Sequence, residues 1–173
     1  MILTLKTIIR LRVFALIGFA FMCNACGFTP VHAPGGVSFD TVRVQLSGGT
    51  AIDDKEAAFW VQQRLAERFS TGSSPAQVLE ITPTAYRAGL GISGQDIATR
   101  YDLNMSIRYK LTDAKTGKVL DRGTVNGVST FTATNDAYAL VAAEKETTRQ
   151  LAADTADRLI TKLAGYYASA RKP

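Results

Sequence analysis

Arg100-Tyr101-Asp102-Leu103-Asn104-Met105-Ser106-Ile107-Arg108-Tyr109-Lys110-Leu111-Thr112 is the stretch on which the fold turns. Tyr101, Leu103, Met105, Ile107, Tyr109 and Leu111 recur at every second position, with polar or charged residues between them. Only an extended strand puts the first set on one side, so the spacing predicts a long strand with one buried and one polar face.

Downstream, Asp113 to Lys118 reads as a hairpin turn in which Gly117 takes the positive φ of a bulged loop. The returning strand spans about Val119 to Thr132, and Gly123 and Gly127 predict a bend or bulge in it. A long helix follows from Asp136 to about Leu163, capped by Thr134 or Asn135. Its expected stripe is Val141, Thr148, Ala152, Ala156, Leu159 and Leu163, with Leu140, Leu151 and Ile160 at the margins. At about 40 Å it is expected to outrun the sheet and to overhang or meet a partner. Tyr166 and Tyr167 close the domain, and 168–173 is expected to be a flexible tail.

Upstream, Gly89, Gly91 and Gly94 match G-x-G-x-x-G. A dinucleotide site needs those glycines to open a helix, and here a strand follows, so 88–97 reads as a mobile glycine-rich loop. Before it, a strand from Gln77 to Arg87 carries Leu79, Ile81 and Ala85 on one face, and Pro83 places it at a sheet edge or a bulge. Asp53 with Glu56 announces an earlier helix, whose stripe is Ala58, Val61, Leu65 and Phe69, with Phe59 and Trp60 flanking it. A first strand, Ser38 to Leu46, precedes it with Val42, Val44 and Leu46 on one face. The order β-α-β-β-β-α predicts an α+β two-layer sandwich: a four-stranded, mostly antiparallel sheet with two helices on one face.

The first 25 residues belong to another category. Lys6, Arg10 and Arg12 precede an apolar run from Val13 to Met22 that is short for a membrane span, which is the pattern of an export signal. Ala25-Cys26 has the form of a bacterial lipobox, so residues 1–25 read as a lipoprotein signal peptide and Cys26 as the lipidated residue. Cys23 is the rival, preceded by Met22, a poor cleavage residue; an ordinary cleaved signal is the other alternative. By resemblance to lipoprotein sorting, Gly27 rather than Asp after the cysteine favours the outer membrane over the inner one. Residues 26–37, with Pro30, Pro34, Gly35 and Gly36, read as a tether, and 38–167 as a single domain. The leader holds three cations and no acid, so its removal lowers the formal net charge of +5 by three, to +2, and the hint of a nucleic-acid partner disappears.

A catalytic set is not evident. His32, the only histidine, lies in the tether, and two cysteines with one histidine make no usual zinc site, so neither an enzyme nor a cofactor is expected. Carboxylates at Asp53, Asp54 and Glu56, and at Glu144 and Glu146, read as helix capping and solvated helix faces. Functional reach lies instead in the polar face of the long strand. Arg100, Arg108 and Lys110 share it, and Arg87 or Arg122 joins from neighbouring strands. A guanidinium fork suits phosphate; the plainer reading is a solvated outer face.

Taken in order, a lipobox followed by Gly27-Phe28-Thr29-Pro30-Val31, the Arg64-Leu65 helix turn, Gly89-Leu90-Gly91-Ile92, Ala98-Thr99-Arg100-Tyr101-Asp102-Leu103, the Thr112-Asp113 hairpin and an Ala/Glu-rich C-terminal helix resemble the LptE family of lipopolysaccharide-assembly lipoproteins, in its alphaproteobacterial form. The resemblance implies a lipid-anchored protein on the periplasmic side of the outer membrane. It also implies residence in or against the β-barrel LptD, where the protein helps place lipopolysaccharide in the outer leaflet. A periplasm-facing lipoprotein that binds a ligand or serves another envelope transporter is the alternative.

Overall fold

A computed structural model describes residues 39–48, 52–69, 74–92, 98–132 and 136–170. The signal, Cys23, Cys26, the tether with His32, Gly94, the Asp53 side chain, Thr134, Asn135 and 171–173 lie outside the described residues. The expected order holds: β1 (Val42–Leu46), α1 (Ile52–Ala66), β2 (Gln77–Ile92), β3 (Ala98–Asp113), β4 (Val119–Thr132) and α2 (Ala137–Ala170). The strands lie in the order β1-β2-β3-β4, with β1 parallel to β2 and the other pairs antiparallel. Among the described residues no helix is long and apolar enough to cross a membrane.

The alternation of β3 organises the core as its sequence predicts. Leu103, Met105, Ile107, Tyr109 and Leu111 are all buried, together with Leu79 and Ile81 of β2 and Val125 and Phe131 of β4. Both helices lie on that face. α1 contributes Ala57, Val61 and Leu65, so the stripe runs through Ala57 rather than the expected Ala58; Trp60 packs at its margin. α2 contributes Leu151, Ala152, Ala156, Leu159, Ile160 and Leu163, while Val141 is exposed and Leu140 takes the inward place. Arg64 bridges the two helices, donating from Nε to Asp157 Oδ1 at 3.0 Å and from Nη2 to Oδ2 at 2.9 Å.

β2 continues through Ala88 to Ile92, where a loop was expected, and Gly89 and Ile92 pair with Tyr101 and Ala98. In this register Gly89, like Pro83, turns its peptide groups away from β3, and its neighbours Ala88 and Leu90 make the ladder bonds with β3 that outweigh the glycines' flexibility. Pro83 is neither on an edge strand nor bulged at its Ile107 pair, yet its position follows the same physics. β1 ends at Leu46 opposite Ile81, where the Ser47 N–H reaches the Ile81 carbonyl at 2.8 Å. Peptide groups repeat their direction every second residue, so the Pro83 nitrogen faces the side that β1 has just left, where no donor is needed.

The β3–β4 hairpin is fixed by Asp113, whose Oδ1 accepts from the N–H groups of Lys115 and Thr116 at 3.0 and 2.8 Å, and by Gly117 at φ 68°. The irregularity expected at Gly123 or Gly127 lies earlier, where the register shifts between Leu111 and Thr112 of β3, opposite Asp121 and Val119. The glycines have another use. A Cβ on Gly127 would stand 2.3 Å from Thr155 Oγ1 and 2.8 Å from Leu151 Cδ1, so its bareness lets α2 lie close on the sheet.

Asp136 caps α2, its Oδ1 accepting from Tyr138 N–H at 2.8 Å and from Ala139 N–H at 3.3 Å. The helix reaches Ala170, seven residues past the expected end and three into the expected tail. Its 34 residues give about 51 Å, and the 16-residue strands β2 and β3 give about 53 Å, so helix and sheet are matched where an overhang was expected. Glu144 meets Arg87 near one end, and Tyr167 donates to Gln77 near the other. β4 is an edge strand whose outward groups are partly taken. Asp121 Oδ1 accepts the Arg122 N–H at 2.9 Å, and Arg158 Nη1 donates to the Asn126 carbonyl at 3.3 Å.

Candidate functional site

With both helices on one face, the opposite face of the sheet is open, and the register fixes its composition row by row. Glu80, Lys110 and Arg122 form one row across β2, β3 and β4; Thr82, Arg108 and Thr124 form the next. These six residues, with Tyr109 and Gly123, line a concavity of about 490 Å³. Arg108, Lys110 and Arg122, three of the residues marked by the sequence, therefore converge. Arg43 of β1 adds a further exposed cation beside Val78 at that end.

Glu80 is the one carboxylate among the described residues lining the concavity. It holds Lys110 Nζ at 2.5 Å. Hydrogen bonds from Lys110 and then Ser47 keep its carboxyl below the usual carboxylate range. Lys110 is thus engaged, whereas the Arg108 and Arg122 side chains are exposed.

Two other marked residues lie elsewhere. Arg100 shares the open face but sits eight residues along β3 from Arg108, about 27 Å away. Arg87 does not join the face at all. It pairs with Glu144 of α2 at 2.6 Å and stacks its guanidinium over Tyr101 at 4.9 Å, on the helix side. The alternation of β2 carried that signal, because Arg87 has the parity of Leu79, Ile81 and Ala85. Sequence reasoning also missed Arg43, whose parity opposes Val42 and Val44, and the exposed apolar residues Tyr86, Leu90 and Val128 of the open face.

Acid–base chemistry has little footing on this face. Tyr109 is pushed up to about 12 by burial and by its hydrogen bond to Asp121, which makes it a structural donor. No group of three or more His, Cys, Asp or Glu suited to a metal occurs among the described residues. What the concavity offers is fixed positive charge and hydrogen-bond donors, the equipment for holding an oxyanion.

A family model described as "LptE: Lipopolysaccharide-assembly" matches residues 39–163. No curated protein matches the chain significantly. Among solved structures, the chain resembles a candidate lipoprotein from Caulobacter crescentus CB15 at 22% identity and TM-score 0.57, over 77% of this chain and 94% of that one. It resembles the rare lipoprotein B from Shewanella oneidensis at 12% identity and TM-score 0.58, over 76% and 98% of the two chains. An uncharacterized lipoprotein B from Nitrosomonas europaea gives 12% identity and TM-score 0.60 over 82% and 93%. At these identities the likeness is one of fold.

Proposed function

This chain belongs to the LptE family of lipopolysaccharide-assembly lipoproteins, non-enzymatic accessories of lipopolysaccharide transport, and from that premise we propose that it acts at the outer membrane. There, anchored through a lipid on Cys26 and facing the periplasm, it partners a β-barrel of the LptD type and helps deliver lipopolysaccharide to the outer leaflet. The observation that carries the reading is the open sheet face, where Arg108, Lys110 and Arg122 gather around one concavity. A lipid bearing phosphates finds there the guanidinium forks that suit it. The tether of residues 26–37 gives such a face reach from the membrane surface.

Detergent extraction of the full-length protein with its native membrane tests the partnership. A large β-barrel is expected to co-purify, and recovery of an inner-membrane transporter in its place overturns the proposal. Mass spectrometry of the mature N-terminus is expected to find an acylated Cys26; an unmodified terminus beginning elsewhere removes the anchor.

A further inference from the structure

The open face is not uniform along its length. At the hairpin end, the rows Glu80–Lys110–Arg122 and Thr82–Arg108–Thr124 hold three cations against one carboxylate. The next row, Thr84–Ser106–Asn126, is small and neutral. Then Tyr86 and Val128 flank Asn104, and Leu90 follows beside Arg100. Tyr86, Val128 and Leu90 are 63%, 59% and 42% exposed, although strands with one solvated face ordinarily put polar residues there. Asp102 lies between these rows, two residues along β3 from Arg100, and accepts from Thr130 Oγ1 at 2.6 Å. From the Lys110 row to the Tyr86 row is six residues of strand, about 20 Å.

We infer that this face holds a phosphorylated, acylated lipid in one direction, its phosphates against Arg108 and Arg122 at the hairpin end and its chains along Tyr86, Val128 and Leu90. The inference rests on the proposed lipopolysaccharide function and adds the polarity of the bound ligand. The cations gather at one end of this face and the largest exposed apolar side chains at the other, with Val119, 46% exposed beside Thr112, the apolar exception at the hairpin end; that separation matches an amphipathic anion better than a free phosphate or a wholly apolar ligand. Glu80 has a defined part in this arrangement. By occupying Lys110 it keeps the resting concavity from binding anions more strongly, and an entering phosphate competes with it for that ammonium.

Binding of three probes to the detergent-solubilised full-length protein separates the two ends: lipid A, dephosphorylated lipid A and de-O-acylated lipid A. Arg108→Ala/Arg122→Ala is expected to weaken lipid A binding about tenfold or more and to abolish the preference for the phosphorylated form. Tyr86→Ser/Val128→Ser is expected to weaken it about tenfold and to abolish the preference for the fully acylated form. Arg100→Ala is expected to leave the phosphate preference intact, and Glu80→Gln to strengthen it. These side chains are exposed or half-buried, and Glu80→Gln reads as a gain, which a misfolded variant cannot mimic. If the unsubstituted protein binds lipid A while the two double variants exchange effects, or neither changes a preference, the polarity is overturned and the proposed function stands. If the unsubstituted protein binds no lipid A, lipid A binding at this face is overturned, and the polarity with it.

Discussion

Gly127→Ala tests how closely the long helix lies on the sheet. The new Cβ would stand 2.3 Å from Thr155 Oγ1 and 2.8 Å from Leu151 Cδ1, against about 3.5–4.0 Å for relaxed carbon contacts. Leu151 offers only the end of a flexible side chain, but Thr155 is held. It is 0% exposed, and its hydroxyl donates to the Leu151 carbonyl at 2.7 Å. Either α2 lifts or that hydroxyl turns away, at about 1–3 kcal/mol for overpacking. Against this stands about 0.5–1 kcal/mol gained by replacing a glycine inside a strand. The net expectation is a loss of about 1–2 kcal/mol, or roughly 3–8 °C in Tm for a domain of this size. Thr155→Ala removes the obstructing oxygen and leaves the Thr155 Cβ position at an ordinary 3.6 Å. It costs about 1 kcal/mol alone, the scale of trimming a core side chain by one or two heavy atoms. In that background Gly127→Ala should be neutral or stabilising, so the urea-unfolding cycle should show a coupling of about 1–3 kcal/mol. Additivity within about 0.5 kcal/mol would refute the close-approach argument.

Other perturbations address separate parts of the fold. Arg64→Ala and Asp157→Ala should each lower stability by about 0.5–1 kcal/mol, with a coupling that shrinks in 1 M salt, because this inter-helix pair is partly exposed; a salt-independent coupling would contradict that. Asp136→Ala should cost about 1 kcal/mol through loss of the α2 cap, and Asp136→Asn should restore most of it in thermal melts. Tyr109 and Tyr167 are both raised to about 12, chiefly by burial, so their contribution is fully present below pH 10 and lost as pH rises from there toward 12. Denaturant unfolding at pH 8, 10 and 11.5 should show that decline, flattened in Tyr109→Phe/Tyr167→Phe; an undiminished slope would sink the assignment. At the acid end, Glu146, lowered to about 2 by Arg149 and then Gln150, contributes stability present above about 4.5 and lost as pH falls toward 2, and Glu146→Gln should blunt that loss.

The sheet was legible because a period of two with one buried face leaves β3 a single orientation, and the hairpin because Asp113 and Gly117 act through their own neighbours. What escaped depends on partners distant in sequence. Whether a glycine bends a strand or admits a helix is decided by the facing residue, and Gly127 meets Thr155 only after α2 has docked. Gly89 reads as a loop until Tyr101 supplies its ladder partner. At the candidate site, Arg108, Lys110 and Arg122 were recoverable from parity and hairpin pairing. The Glu80 contact was not, because it needs the β2–β3 register, in which Glu80 faces Lys110. Arg87 was misassigned although parity alone places it correctly, since the polar character of arginine overrode its position in the alternation.

The outer margin of β4 bears on whether copies of the chain stack on one another. A long strand with unmet peptide groups is a template on which identical molecules stack. Here Asp121 occupies one amide, and Arg158, reaching over from α2, occupies one carbonyl four residues further on. That spacing interrupts any continuous run of intermolecular pairing along the first half of the strand. The strand thereby carries its own guard against self-association, supplied by Arg158 and by an Asp121 whose other oxygen accepts from Tyr109.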